Sequence, residues 1–66
     1  MDKVALGKKL RSLRGDTPQK TVADGVGVLQ STYSMYESGQ RVPSDDVKER
    51  IAVYFNDTVQ NIFFAS

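Results

Sequence analysis

An all-α fold of five short helices is predicted for this chain by three features of its sequence. Apolar residues recur at three- and four-residue spacing through most of its length, the period of one helix face. Helix-start residues, Thr17-Pro18, Ser44 and Thr58, stand before three of those runs. The connections between runs are short, with no internal repeat, linker or low-complexity segment.

Leu6, Leu10 and Leu13, with Lys8, Lys9, Arg11 and Ser12 between them, predict an amphipathic first helix over residues 3–14, ended by Gly15-Asp16. Thr17 then offers a capping hydroxyl and Pro18 suits the first helical position. A second helix is therefore expected over residues 18–25, with Val22, Ala23 and Val26 inward. Gly25 weakens its last turn, and Gly27 permits a left-handed residue at the exit. A third helix is predicted over residues 30–37, followed by the loop Ser38-Gly39-Gln40-Arg41-Val42-Pro43. Ser44 caps a fourth helix, whose early Asp45 and Asp46 suit the positive end of the macrodipole. Its Val47, Ile51, Tyr54 and Phe55 form one apolar stripe. Asn56-Asp57 breaks it, and Thr58 caps a short fifth helix with Val59, Ile62 and Phe63 inward.

Sixty-six residues make one small domain. Folding at this size buries only about 60% of the surface the unfolded chain exposes, so the core is thin. With no Cys and no His, disulfides, zinc sites and most metal sites are excluded, and no cofactor is expected. No apolar run approaches the roughly 20 residues of a membrane span, and no signal peptide precedes the domain, so a cytoplasmic location is expected. The net charge is only +1, but it is unevenly spread: residues 1–20 carry +4, residues 21–44 carry −1 and residues 45–66 carry −2. A basic end suited to a polyanion and an acidic end facing away are implied.

Residues 28–39, VLQSTYSMYESG, are unusual for a helix. A solvated helix face is normally built from Lys and Glu, which are good helix formers. Here Gln30, Ser31, Ser34, Met35 and Ser38 share one sector at about 100° per residue, while Leu29, Tyr33 and Tyr36 fall opposite. The aromatics anchor the helix, and the outward face carries no charge. Hydroxyls and amides both donate and accept without the desolvation cost of an ion, which suits a helix lying against another surface. A simple polar solvent face is the other reading of the segment taken alone.

The preceding residues extend the pattern. Gln19, Val22, Ala23, Val26, Gly27, Val28, Tyr33, Tyr36 and Glu37 fall at the positions of a helix-turn-helix signature. From Leu6 to Phe63 the chain resembles the lambda-repressor/Cro-like, or XRE, family of bacterial and phage transcription regulators. The resemblance implies a compact five-helix lambda-repressor-like DNA-binding domain spanning 1–66, with the helix-turn-helix at about 18–37. It also implies an ion pair between Arg14 of the first helix and Glu37. Four departures from the family pattern stand out. The connection between the first and second helices is shorter than usual. Leu29 occupies a position usually held by a capping Ser or Thr, Gly25 replaces a better helix former, and the recognition helix lacks Arg and Lys.

In such a fold the second helix of the motif enters the major groove and the first crosses the backbone. Gln30, Ser31, Ser34 and Met35 are then the candidate base contacts: Gln30 for adenine N6 and N7, and Met35 for a thymine methyl. Gln19, Lys20, Thr32 and Arg41 are the candidate phosphate contacts, with Lys9 and Arg11 behind them. One module buries too little surface for selective binding, so a homodimer on two half-sites of a double-stranded operator is expected. Val59, Ile62, Phe63 and Phe64, within residues 58–66, are the candidate dimer contacts. No membrane or small-molecule partner is expected, and no catalytic constellation is present: Asp45 and Asp46 are explained by the helix dipole. A protein-interaction module of the same fold, an antitoxin or anti-repressor, is the alternative function.

Overall fold

A computed structural model describes residues 2–64. Four α-helices, α1 (Lys3–Arg14), α2 (Gln19–Val26), α3 (Gln30–Glu37) and α4 (Asp45–Tyr54), precede a π-helical turn at Gln60–Phe64. No strand occurs among the described residues.

The leucine spacing of α1 buries Leu6 and Leu10, while Leu13 packs half-buried at the edge of the core. Asp2 caps the helix: its Oδ1 accepts from the backbone N–H of Val4 at 2.9 Å and of Ala5 at 3.2 Å. α3 lies directly against α1 because Gly7 is small. A Cβ at Gly7 would collide with the Glu37 carbonyl. Val22 and Ala23 of α2, Tyr33 of α3 and Ile51 of α4 meet with no exposed surface. Each fully buried Leu, Val or Ile of this kind stabilises the fold by about 1.5–3 kcal/mol.

Two expectations are corrected. Thr17 does not cap α2: Pro18 is the N-cap residue, extended at φ −60°, ψ 146°, and no side chain bonds the free N–H groups there. Leu29 is not an anchor with the tyrosines. As the N-cap of α3 it precedes the helical turn and is 72% exposed. The expected fifth helix is present, as a π-helical turn, with the Thr58 hydroxyl accepting from the Asn61 N–H at 3.0 Å. Its hydrogen bonds close five residues back, and Ile62 and Phe63 both lie inward, as the spacing predicts.

Gly25 acquires a reason that propensity does not supply. Its missing side chain is the space in which the Tyr54 ring of α4 lies. Lys48 of α4 is almost buried. Its ammonium sits 5.7 Å from the Phe63 ring centroid and 5.1 Å from that of Phe64, and 3.8 Å from the Asp45 carboxylate. These contacts tie the C-terminal turn to α4.

Candidate nucleic-acid interface

The hinge of the two-helix unit is Gly27, in the left-handed region at φ 88°, ψ 34°. An L side chain pays steric strain there, whereas glycine does not. The N–H groups of Gly27 and Val28 both donate to the Ala23 carbonyl, at 2.8 and 3.0 Å, closing α2. From α4, Arg50 completes the closure: Nη1 donates to the carbonyls of Val26 at 3.2 Å and Gly27 at 3.4 Å, while Nη2 pairs with Asp46 at 2.9 Å. A cation over the last carbonyls of a helix complements its dipole. Sequence reasoning missed Arg50 because its partners lie 23 and 24 positions away.

α3 is rooted by Tyr33 and Tyr36, whose rings meet edge to face at 6.3 Å and 82°. Beneath its last turn lies a polar cluster. Arg14 Nε donates to Glu37 Oε2 at 2.7 Å, and Arg14 Nη2 and Gln19 Nε2 donate to Oε1 at 3.0 and 3.1 Å. Arg14 Nη1 donates to the Thr17 carbonyl at 2.8 Å. Burial pushes the Glu37 pKa up, but the bonds from Arg14 and Gln19 and the nearby Arg14 charge outweigh it and hold the carboxyl below its ordinary value. The bond to Glu37 raises the Arg14 pKa despite burial. Burial, then Glu37, raises that of Tyr33. The Tyr33 hydroxyl closes no geometrically sound hydrogen bond within the protein, although it lies close enough to Glu37 to feel its charge.

Of the predicted base contacts, Gln30 and Ser31 are exposed, and Ser34 and Met35 are half-buried beside them on the outer face of α3. Of the predicted phosphate contacts, Gln19 is half-buried with its amide turned onto Glu37, so its donor is partly engaged. Lys20 is exposed and pairs with Asp24 at 2.9 Å, an exposed contact of little strength. Thr32 is half-buried, and Arg41 is exposed in the loop after α3, its N–H closing onto the Met35 carbonyl at 3.3 Å. The predicted dimer contacts are divided. Ile62 and Phe63 are only 5% and 6% exposed and belong to the core, Val59 is half-buried, and Phe64 is 56% exposed. Residues 65–66 of the predicted dimer segment lie outside the described residues.

The two helices of this unit differ from the rest of the molecule at their N-termini. Asp2, Ser44 and Thr58 cap α1, α4 and the C-terminal turn through their side chains. Pro18 and Leu29 make no such bond, which leaves N–H groups at the starts of α2 and α3 without side-chain acceptors.

Residues 8–58 match the family model described as helix-turn-helix. The chain belongs to the XRE-type helix-turn-helix family. This helix-turn-helix protein is 39% identical over 49 residues to the cryptic phage CTXphi transcriptional repressor RstR of Vibrio cholerae. That alignment covers 71% of the chain and 44% of the repressor, so the chain spans less than half the length of this relative. It also superposes on the restriction-modification controller protein C.AhdI of Aeromonas hydrophila, with a TM-score of 0.85 at 30% identity, covering 94% of this chain and 93% of that one. The clp gene regulator ClgR of Corynebacterium glutamicum shares the fold, with a TM-score of 0.83 at 23% identity over 94% of this chain and 68% of that one. Members of this family are DNA-binding regulators. Among the described residues no helix is long and apolar enough to cross a membrane.

Proposed function

We propose that this protein is a sequence-specific transcriptional repressor of the phage or mobile-element type, binding an operator in double-stranded DNA as a homodimer. The observation that carries the reading is the outer face of α3. It is uncharged, with Gln30 and Ser31 exposed and Ser34 and Met35 half-buried beside them, rooted from behind by two tyrosines, and flanked by helix starts with free N–H groups. Likeness to a phage repressor and to a controller protein supports the same direction.

In this reading α3 lies in the major groove, with Gln30 bonding adenine N6 and N7, Ser31 and Ser34 reaching base edges, and Met35 against a thymine methyl. Without an Arg–guanine contact the preferred site is biased towards A·T pairs and towards deformable flanking sequence. The N-termini of α2 and α3 receive phosphates, because free N–H groups and the helix dipole favour an anion there. Gln19, Lys20, Thr32 and Arg41 add to that grip, which sets affinity and salt dependence rather than sequence choice. Lys20 exchanges Asp24 for a phosphate at small cost, since the pair is solvent-exposed. The dimer contact narrows to Phe64 and the rim of Val59, with Ile62 and Phe63 supporting them from the core.

The test is selection of bound duplexes from a random DNA pool by the wild type and by Gln30→Ala. An enriched, A·T-rich motif that loses one adenine position in the variant is the expected result. No enrichment at low salt removes the repressor reading and leaves the protein-interaction module of the same fold. An unchanged motif in Gln30→Ala removes only the base contact assigned to Gln30.

A further inference from the structure

Glu37 touches three elements at one point. Its carboxylate sits at the end of the recognition helix α3, pairs with Arg14 at the end of α1, and accepts from the Gln19 amide in the first turn of α2. Arg14 in turn holds the Thr17 carbonyl, two residues before α2 begins. The start of α2 is thus tethered twice, at residue 19 directly to a carboxylate carried by α3 and at residue 17 to the Arg14 guanidinium paired with it. The pair is well shielded, with side-chain exposures of 15% for Arg14 and 5% for Glu37, so the geometry is held tightly. A pair serving stability alone needs no bond to Gln19, a side chain on the rim of the proposed DNA face.

We propose that Glu37 is a positioning residue for DNA binding: through Gln19 it sets the register between the phosphate-gripping start of α2 and the base-reading face of α3. The inference rests on the DNA-binding reading above. Gln19 Nε2 carries two hydrogens. One is directed at Glu37, which fixes the plane of the amide and leaves the second to meet a phosphate oxygen at a set distance from Gln30. An unanchored Gln at the same position must lose rotamer freedom on every binding event, whereas the anchored one has already lost it on folding.

The experiment is phosphate-ethylation interference on the duplex selected by the wild type. It is run on wild type, Gln19→Met, Glu37→Gln and the double variant, at a temperature where circular dichroism shows each folded. Gln19→Met is expected to bind about five- to tenfold more weakly and to become indifferent to ethylation at one phosphate, the worth of one hydrogen bond. Glu37→Gln is expected to lose sensitivity at that same phosphate, and the double variant to bind no worse than Gln19→Met. Glu37→Asp gives the same readout in a domain that keeps the charge opposite Arg14, because the shortened side chain draws back from Gln19. The proposal is overturned if both Glu37 variants keep the Gln19-dependent phosphate, or if the two losses multiply in the double variant. If the wild type selects no duplex, it is the DNA-binding reading that fails instead.

Discussion

Replacing Glu37 by Ala isolates the energetics of the polar cluster. The substitution removes the acceptor for Arg14 Nε, Arg14 Nη2 and Gln19 Nε2, and leaves the Arg14 guanidinium shielded without a counter-charge. Breaking a buried pair on one side costs about 3–5 kcal/mol. A chain of this length has a total stability of only about 3–10 kcal/mol at roughly 0.05–0.15 kcal/mol per residue. Glu37→Ala is therefore expected to lower the melting temperature by about 12 °C or more, taking roughly 4–8 °C per kcal/mol for a domain of this size. The paired replacement Arg14→Met with Glu37→Leu removes both charges and fills the volume, and is expected to recover most of that loss. Thermal unfolding followed at 222 nm measures both. A loss below about 1 kcal/mol in Glu37→Ala refutes the buried-pair argument. So does a Met/Leu variant as unstable as Glu37→Ala, because the penalty then does not come from an orphaned charge.

Three further outcomes follow from the same structure. The Glu37 carboxyl is held below its ordinary pKa of 4.5, so its contribution is fully present above that value and is lost as pH falls below it. Melting temperature should decline with acid below pH 4.5, and less steeply in Glu37→Gln, as a pH series of melts will show. Leu29→Ser places a capping hydroxyl at the extended residue before α3 and should raise stability by about 1 kcal/mol. Because that hydroxyl competes for the N–H groups proposed to meet phosphate, filter binding should show weaker DNA affinity in the same variant. Gly7→Ala drives a methyl into the Glu37 carbonyl and should cost about 1–3 kcal/mol in denaturant unfolding, although alanine is the better helix former.

The parts of this fold that are legible in the sequence are those governed by local periodicity and hinge chemistry. The leucines of α1, the rooting of α3 by Tyr33 and Tyr36, and the turn at Gly27 follow from spacing, or from the one residue that tolerates a left-handed backbone. What local sequence does not contain is contact between distant positions. Gly25 reads as a weak point of its helix, yet it makes room for the Tyr54 ring far along the chain, as Gly7 makes room for the Glu37 backbone. Arg50 pairs with Asp46 on its own helix, but its role on α2 depends on how α4 packs. The inward side of the C-terminal turn is legible as well: the spacing that turns Val59, Ile62 and Phe63 inward agrees with the burial of Ile62 and Phe63, and Phe64 stays exposed. The Arg14–Glu37 contact is implied by the family resemblance and not by local sequence, because 23 residues separate the partners.

The distribution of stabilising contacts also explains why α3 tolerates so poor a set of helix formers on its outer face. Its hold on the domain comes from behind and from its last turn: two buried tyrosines, the close approach of Gly7, and the Arg14–Glu37 pair. An eight-residue helix has no independent stability in water, so tertiary packing of this kind decides whether it forms. Once it does, Gln30 and Ser31 carry almost none of the folding energy, because exposed substitutions usually change stability by less than about 0.5 kcal/mol. The same division explains the bare starts of α2 and α3, where a side-chain cap would add stability but occupy the N–H groups facing outward. On the proposed DNA-binding reading, specificity at this face is thereby separated from folding, except at Glu37, where the contact that stabilises the domain also holds Gln19.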